Sequence, residues 1–342
     1  MKRVRQLLLC GAVLCGLSLV AQAATKKEKA ESNKPTIPVF TLSGTVHELP
    51  PEDSFSFSLE PPTSFKDLTA RMLKAGKDEN VKAIVILWNN ATIGGAQTEE
   101  LRQVMAKVRE DGKEIYAYTD QVATLKEYTF LSGASHISLP PTADLWITGL
   151  YTETPYLHGL LSLVGVKPDF LSCGEYKSAA EIFMREGPSP AAEKMQNWLL
   201  DSLFENYTKA IAEGRGVDVA KVKSWINGGP YTAEKAKAAG IIDEVEHRDA
   251  FSDRLREKFG KGVVFNHRYG KKKPPTIDLG NPFAAFQILN DVMMESQKKK
   301  KSKKDAIGIV YVAGAIELGG HEESPFGEQS AHSTAVRKAL DK

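Results

Sequence analysis

The sequence predicts an α/β fold, and three observations carry that expectation. Val81 to Trp88 (VKAIVILW) is an unbroken run of β-forming apolar residues, as expected of a strand covered on both faces of a parallel sheet. Strand-like and helix-like patterns alternate at short spacing around it, which is the mark of βαβ units. Turn residues such as Asp111-Gly112 separate one pattern from the next.

The elements follow in order. IPVFTLSGTV, Ile37 to Val46, reads as a strand running into a glycine turn. Ser64 to Lys77 has helical spacing, with Phe65, Leu68, Met72 and Leu73 on one face. After the Val81–Trp88 strand, NNATIGGA reads as a loop, followed by a helix from Thr98 to Glu110 and a strand in EIYAYTD. Lys126 to Ser132 is helical in pattern, and HISLP and DLWITGL are short strands. KPDFLSC, Lys167 to Cys173, reads as a strand leading directly into CGEYKSAAEIFMREGPSP. Ser189-Pro190 then opens a long helix, Ser as N-cap and Pro at the first helical position. Trp198, Leu199, Leu203, Phe204, Tyr207 and Ile211 form its apolar stripe, and Gly214 is expected to stop it. GGPYTAEKAKAAGIIDEVEH gives a short helix, a glycine cap and a final strand.

At 342 residues, 42% hydrophobic and 26% charged, the chain has an ordinary globular balance and enough length for a large core. A net charge of +2 gives no argument for nucleic acid as a partner. Residues 1–23 carry Lys2, Arg3 and Arg5, then an apolar run from Leu7 to Val20, then Ala21-Gln22-Ala23, which is the layout of a secretory signal peptide. The run is shorter than the roughly 20 residues of a spanning helix; an uncleaved anchor is the alternative. The signal implies an exported chain, in the periplasm or on the extracytoplasmic face of the inner membrane. Two of three cysteines lie in that segment, so Cys173 alone is left in the processed chain, without an internal disulfide partner. No motif makes Cys173 a nucleophile, and a buried inert thiol is expected. The seven histidines show no paired-ligand spacing, and there is neither a P-loop nor a dinucleotide fingerprint, so no metal and no cofactor are expected.

Residues 24–35 read as a polar tether, residues 36–265 as one repeat, and residues 266–304 as a Lys-rich linker. The lysine block from Gln297 to Lys304 reads as solvated linker; contact with anionic headgroups is the other reading. Residues 305–342 then begin again. IGIVYVAGAIELGG matches IPVFTLSGTVHELPP in order: an apolar strand, a small-Gly-small-aliphatic turn, then Glu-Leu. This is the start of a second, truncated repeat, ending in STAVRKALDK before its core strand.

With these stretches the chain resembles the N-terminal part of the long, two-repeat bacterial signal peptide peptidase, protease IV. The residues that carry the resemblance are VKAIVIL with the following Gly-Gly, EYKSAAEIFMREGPSPAAE, the AEKAKAAGIID turn and IGIVYVAGAI. The YKSA–SP segment is the most specific; the VKAIV strand and the Gly-Ile-Ile-Asp turn are shared more loosely across the Clp/crotonase superfamily. The resemblance implies a Clp/crotonase-like spiral α/β repeat, a homo-oligomeric bowl facing the membrane, and signal peptides or other apolar peptides as substrate. It also implies that Lys177 is the general base of a Ser–Lys dyad. Such a lysine is expected in an apolar, desolvated pocket, because burial disfavours the charged amine, and the neutral amine can take a serine proton. The family's serine belongs to the second repeat. Its first-repeat counterpart falls in VATLKEYTFLSG, where Leu125 stands in the serine's place and Lys126-Glu127 replace Gly-Gly. Gly94 and Gly95 match the oxyanion-hole loop in position and are expected to be structural here. Ser178 is expected to open a helix rather than to react. The sequence therefore implies a serine endopeptidase whose lysine lies in this chain and whose nucleophile does not, inactive as it stands. A non-catalytic peptide-binding or oligomerisation scaffold of the same fold is the alternative; a crotonase-like acyl-CoA enzyme fits poorly with a secretory signal.

Overall fold

The computed structural model describes residues 34–48, 64–271, 309–312, 314–317 and 330–341. The signal, tether and lysine-block expectations lie wholly or almost wholly outside these residues. The described chain falls into two units, one ending at Lys271 and one containing the C-terminal segment.

The first unit is built on a six-stranded sheet. Its strands are β1 (Thr36–Thr45), β2 (Ala83–Thr92), β3 (Glu114–Thr119), β5 (His136–Leu139), β8 (Glu244–Val245) and β9 (Val264–Asn266), in the order β8-β5-β3-β2-β1-β9. Every pairing in it is parallel. A smaller sheet joins β4 (Ala123–Thr124), β6 (Asp144–Trp146) and β7 (Tyr231–Thr232). The helices are α1 (Phe65–Lys77), α2 (Gly95–Glu110), α3 (Leu125–Leu131), α4 (His158–Leu163), α5 (Glu181–Met184), α6 (Pro190–Arg215), α7 (Val219–Gly228), α8 (Ala233–Ala238) and α9 (Arg248–Phe259). The α/β class expected from the sequence is what the chain adopts.

The continuous apolar run of β2 has a direct cause. Ile84, Ile86 and Trp88 point into a core shared with α1, α2 and α3. Ala83, Val85 and Leu87 point the other way, into a second core closed by Phe251 and Leu255 of α9. Both faces of the strand are covered, so neither face needs polar residues.

Four sequence expectations are corrected. Asn89 to Thr92 continue β2 instead of forming a loop; Ser43 and Gly44 of β1 accommodate them through a register irregularity. KPDFLSC is not a strand: residues 167–173 are irregular and mostly exposed, because no sheet edge pairs with them. Gly214 does not end α6, which runs on to Arg215 and is capped by Gly216 in the left-handed region at φ 66°. The apolar stripe of α6 is only half used. Ile211 is buried, whereas Trp198 is 73% exposed and Leu199 and Leu203 are also exposed, since the helix leaves the core at its N-terminal half.

Three helices are locked together by one half-buried cation. Arg102 of α2 donates to the carbonyls of Thr129 and Ala210 and, at 2.7 Å, to Ser132 Oγ. Burial lowers its pKa, partly offset by the charge of Glu213. At the far end of α6, Arg215 forms a two-point pair with Asp243 at 2.9 and 3.0 Å, and Asp243 Oδ2 also accepts the Ile137 N–H at 2.8 Å. These bonds tie the long helix to the strand β5.

In the second unit, β10 (Ala315–Glu317) pairs in parallel with β11 (Ser330–His332), and α10 (Ser333–Leu340) follows at once.

Candidate active site

The segment that carries Lys177 is an exposed arm. From Thr148 to Ala191 no residue is buried. Leu160, Leu163, Val164, Phe170, Leu171 and Tyr176 are all apolar and exposed. Lys177 itself is exposed. It lines an open groove of about 550 Å³ with Phe170, Leu171, Cys173, Tyr176 and Ala180. The walls all come from the same short stretch of chain, which is why they do not enclose the amine. The desolvated setting expected for Lys177 is thus absent among the described residues. Cys173 is likewise exposed rather than buried, for the same reason.

The backbone around Lys177 turns twice. Lys177 N–H donates to the Gly174 carbonyl at 3.2 Å, with Gly174 at φ 103°, a conformation glycine adopts freely. Glu181 N–H donates to the Ser178 carbonyl at 3.0 Å, but Ala180 is the N-cap of the single turn α5, so Ser178 lies ahead of that turn instead of opening it as expected. Ser189 caps α6 by accepting the Ala192 N–H, with Pro190 at the first helical position. Glu181 accepts two hydrogen bonds from Ser189, and the sequence offered no signal for this. A capping box pairs residues three apart, whereas these are eight apart.

The stretch expected to be the first-repeat counterpart of the serine motif is packed as structure. Leu125 is the first residue of α3, 4% exposed, in the core with Tyr128 and Phe130. Thr124 caps the helix, and the Glu127 carboxylate returns to accept the Thr124 N–H at 3.0 Å. Lys126 is exposed. Gly94 is also committed: its N–H donates to Gln97 Oε1 at 3.0 Å and its carbonyl accepts from Thr98. An amide already bonded in this way is not free to hold an oxyanion, which agrees with a structural role for Gly94. Among the described residues, no group of three His, Cys, Asp or Glu side chains is placed to hold a metal. Likewise, no described helix is long and apolar enough to cross a membrane.

The same parallel α/β unit thus carries the exposed YKSA arm and an α3 that opens on a buried leucine. Residues 107–262 match the model of peptidase family S49. The chain is 28% identical over 215 residues to the chloroplastic serine protease SPPA of Arabidopsis thaliana, covering 63% of this chain and 31% of that protein. It is 26% identical over 253 residues to Protease 4 of Salmonella typhi, covering 69% and 40%. Against Protease 4 of Haemophilus influenzae it is 28% identical over 210 residues, covering 57% and 33%. The chain thus spans well under half the length of these relatives. Among solved structures, a mutant of the 1510-N membrane-bound stomatin-specific protease covers 65% of this chain and 84% of its own, at a TM-score of 0.38 and 14% identity.

Proposed function

We propose that this chain supplies the general base of a serine peptidase that degrades apolar peptides, cleaved signal peptides among them, at the extracytoplasmic face of a membrane. Lys177 is the base, and the nucleophile is a serine from outside these residues. The observation that carries the reading is the pairing of an intact YKSA–SP arm with a buried leucine, Leu125, at the helix start where the serine would stand. In the reaction, the neutral amine of Lys177 takes the serine hydroxyl proton as the oxygen attacks the peptide carbonyl. It then returns that proton to the leaving amine.

The exposure of Lys177 fits a shared site. An amine in an open groove becomes desolvated once another surface closes the groove, and the apolar rim of Phe170, Leu171 and Tyr176 suits such a cover. The exposed Leu160, Leu163, Trp198 and Leu199 extend the same apolar character along the arm, which supports assembly into a homo-oligomer. The test is an activity-based fluorophosphonate probe, applied to the chain alone and to the chain joined to a serine-bearing second half. Labelling of the joined protein only supports the reading; labelling of the chain alone contradicts it. A scaffold reading is favoured instead by loss of oligomers, with unchanged peptide turnover, when Leu160 and Trp198 are made polar.

A further inference from the structure

Lys177 sits on a stretch with no hold on the core, since nothing from Thr148 to Ala191 is buried and α5 buries no residue. Its loop reaches α6 through one side chain. Ser189 N–H donates to Glu181 Oε2 at 2.8 Å, and Ser189 Oγ–H donates to Glu181 Oε1 at 2.6 Å. Among the described residues no other hydrogen bond joins residues 166–188 to α6. The support continues on both sides. Ser189 Oγ accepts the N–H of Ala192, which is 1% exposed, and α6 is held further along by buried Thr208, Ile211 and Ala212. On the other side, Glu181 N–H bonds the Ser178 carbonyl, directly after Lys177. Phe183, two residues past Glu181, stacks on Phe170 at 5.7 Å and so sets one wall of the lysine groove. The two bonds from Ser189 hold the Glu181 carboxyl below the usual carboxylate range, so at neutral pH it is charged and the bonds are charge-assisted.

We propose that Glu181 is the positioning residue for Lys177: by clasping the N-cap of α6 it fixes the lysine loop and one wall of its groove. The line of support runs from α6 at Ala192 through Ser189 and Glu181 to Ser178 and Lys177. Glu181 touches no reacting atom; it acts through the loop. The inference rests on Lys177 being the base, and two measurements keep the two ideas apart.

The first uses the chain as it is. Acetic anhydride labelling of Lys177, read by mass spectrometry against Lys194 on α6, changes by roughly threefold or more in Glu181→Ala, because the loop opens locally. Glu181→Gln, which keeps the acceptor for the Ser189 N–H, changes it less. The second uses the chain joined to a serine-bearing half. There Glu181→Ala lowers kcat about tenfold with little change in KM and shifts the lysine limb of the pH–rate profile, and Glu181→Gln restores part of both. An unmoved thermal midpoint shows that the fold is intact in each variant. An unchanged labelling ratio, or a kcat and pH profile for Glu181→Ala equal to the parent, overturns the clasp. Full turnover in Lys177→Ala overturns the base assignment instead, and the labelling ratio then decides the clasp alone.

Discussion

Gly214 of α6 lies against the backbone of Ser132 so closely that a Cβ on Gly214 would stand 2.2 Å from the Ser132 carbonyl oxygen and 2.8 Å from its carbon. Ser132 is fully buried, and Arg102 binds its hydroxyl, so the carbonyl has little room to move. This contact explains a glycine within a helix that does not end there. Gly214→Ala sets two effects against each other. Alanine in a helix interior is worth about 1 kcal/mol over glycine. Overpacking against fixed backbone costs about 1–3 kcal/mol, and here the clash is with backbone rather than a flexible tip. Gly214→Ala is therefore expected to destabilise the first unit in urea unfolding. A raised midpoint would show that α6 and α3 part easily.

Acid should loosen the joint between α6 and β5. Burial pushes the Asp243 carboxyl up, but the hydrogen bonds from Arg215 and from the Ile137 N–H outweigh it, and the group stays below its ordinary value. Glu114 behaves alike, with burial opposed by Lys258 and Tyr116. A depressed carboxyl gives stability that is fully present above the unfolded-state pKa, about 3.9 for Asp and 4.3 for Glu, and is lost as pH falls below it. The gap in thermal midpoint between the parent and Asp243→Asn should accordingly be wide at pH 7 and narrow towards pH 3. A gap that stays constant on acidification would mean that the pair is not linked to protons as described.

Placing a hydroxyl at residue 125, the expected first-repeat counterpart of the serine motif, should not create chemistry. Leu125→Ser removes a buried side chain from the core, at about 2–5 kcal/mol for a change of this size. It also leaves Lys126-Glu127 where the family has Gly-Gly, with Glu127 already occupied by Thr124. The expected outcome is a less stable chain that a fluorophosphonate probe does not label at residue 125. Labelling there would mean that the first repeat can hold a working nucleophile.

Much of this was readable from residue patterns, for physical reasons. The apolar run of β2, the helical spacing of α1 and the Ser189-Pro190 start of α6 are local features, and each sits where its pattern placed it. α9 escaped notice because only Phe251, Leu255 and the half-buried Phe259 face the core in an otherwise charged segment. KPDFLSC has strand composition but no neighbouring strand, and pairing cannot be read from one segment. At the site, the YKSA motif marked Lys177, yet the exposure of its groove follows from which surfaces meet across the chain. The Glu181–Ser189 clasp was hidden because its two residues lie eight apart and neither has an unusual neighbour.

Turnover of an apolar fluorogenic peptide by the chain joined to a serine-bearing half reads the proposed role of Lys177 as base for a serine supplied from elsewhere. Lys177→Ala is expected to abolish nearly all turnover with the fold intact. Lys177→Arg should be almost as damaging, because a guanidinium does not give up its proton. The pH profile of the joined parent should rise with a pKa below that of free lysine, as desolvation requires. Full activity in Lys177→Ala, or peptide hydrolysis by the unjoined chain that a serine-directed inhibitor stops, would contradict it.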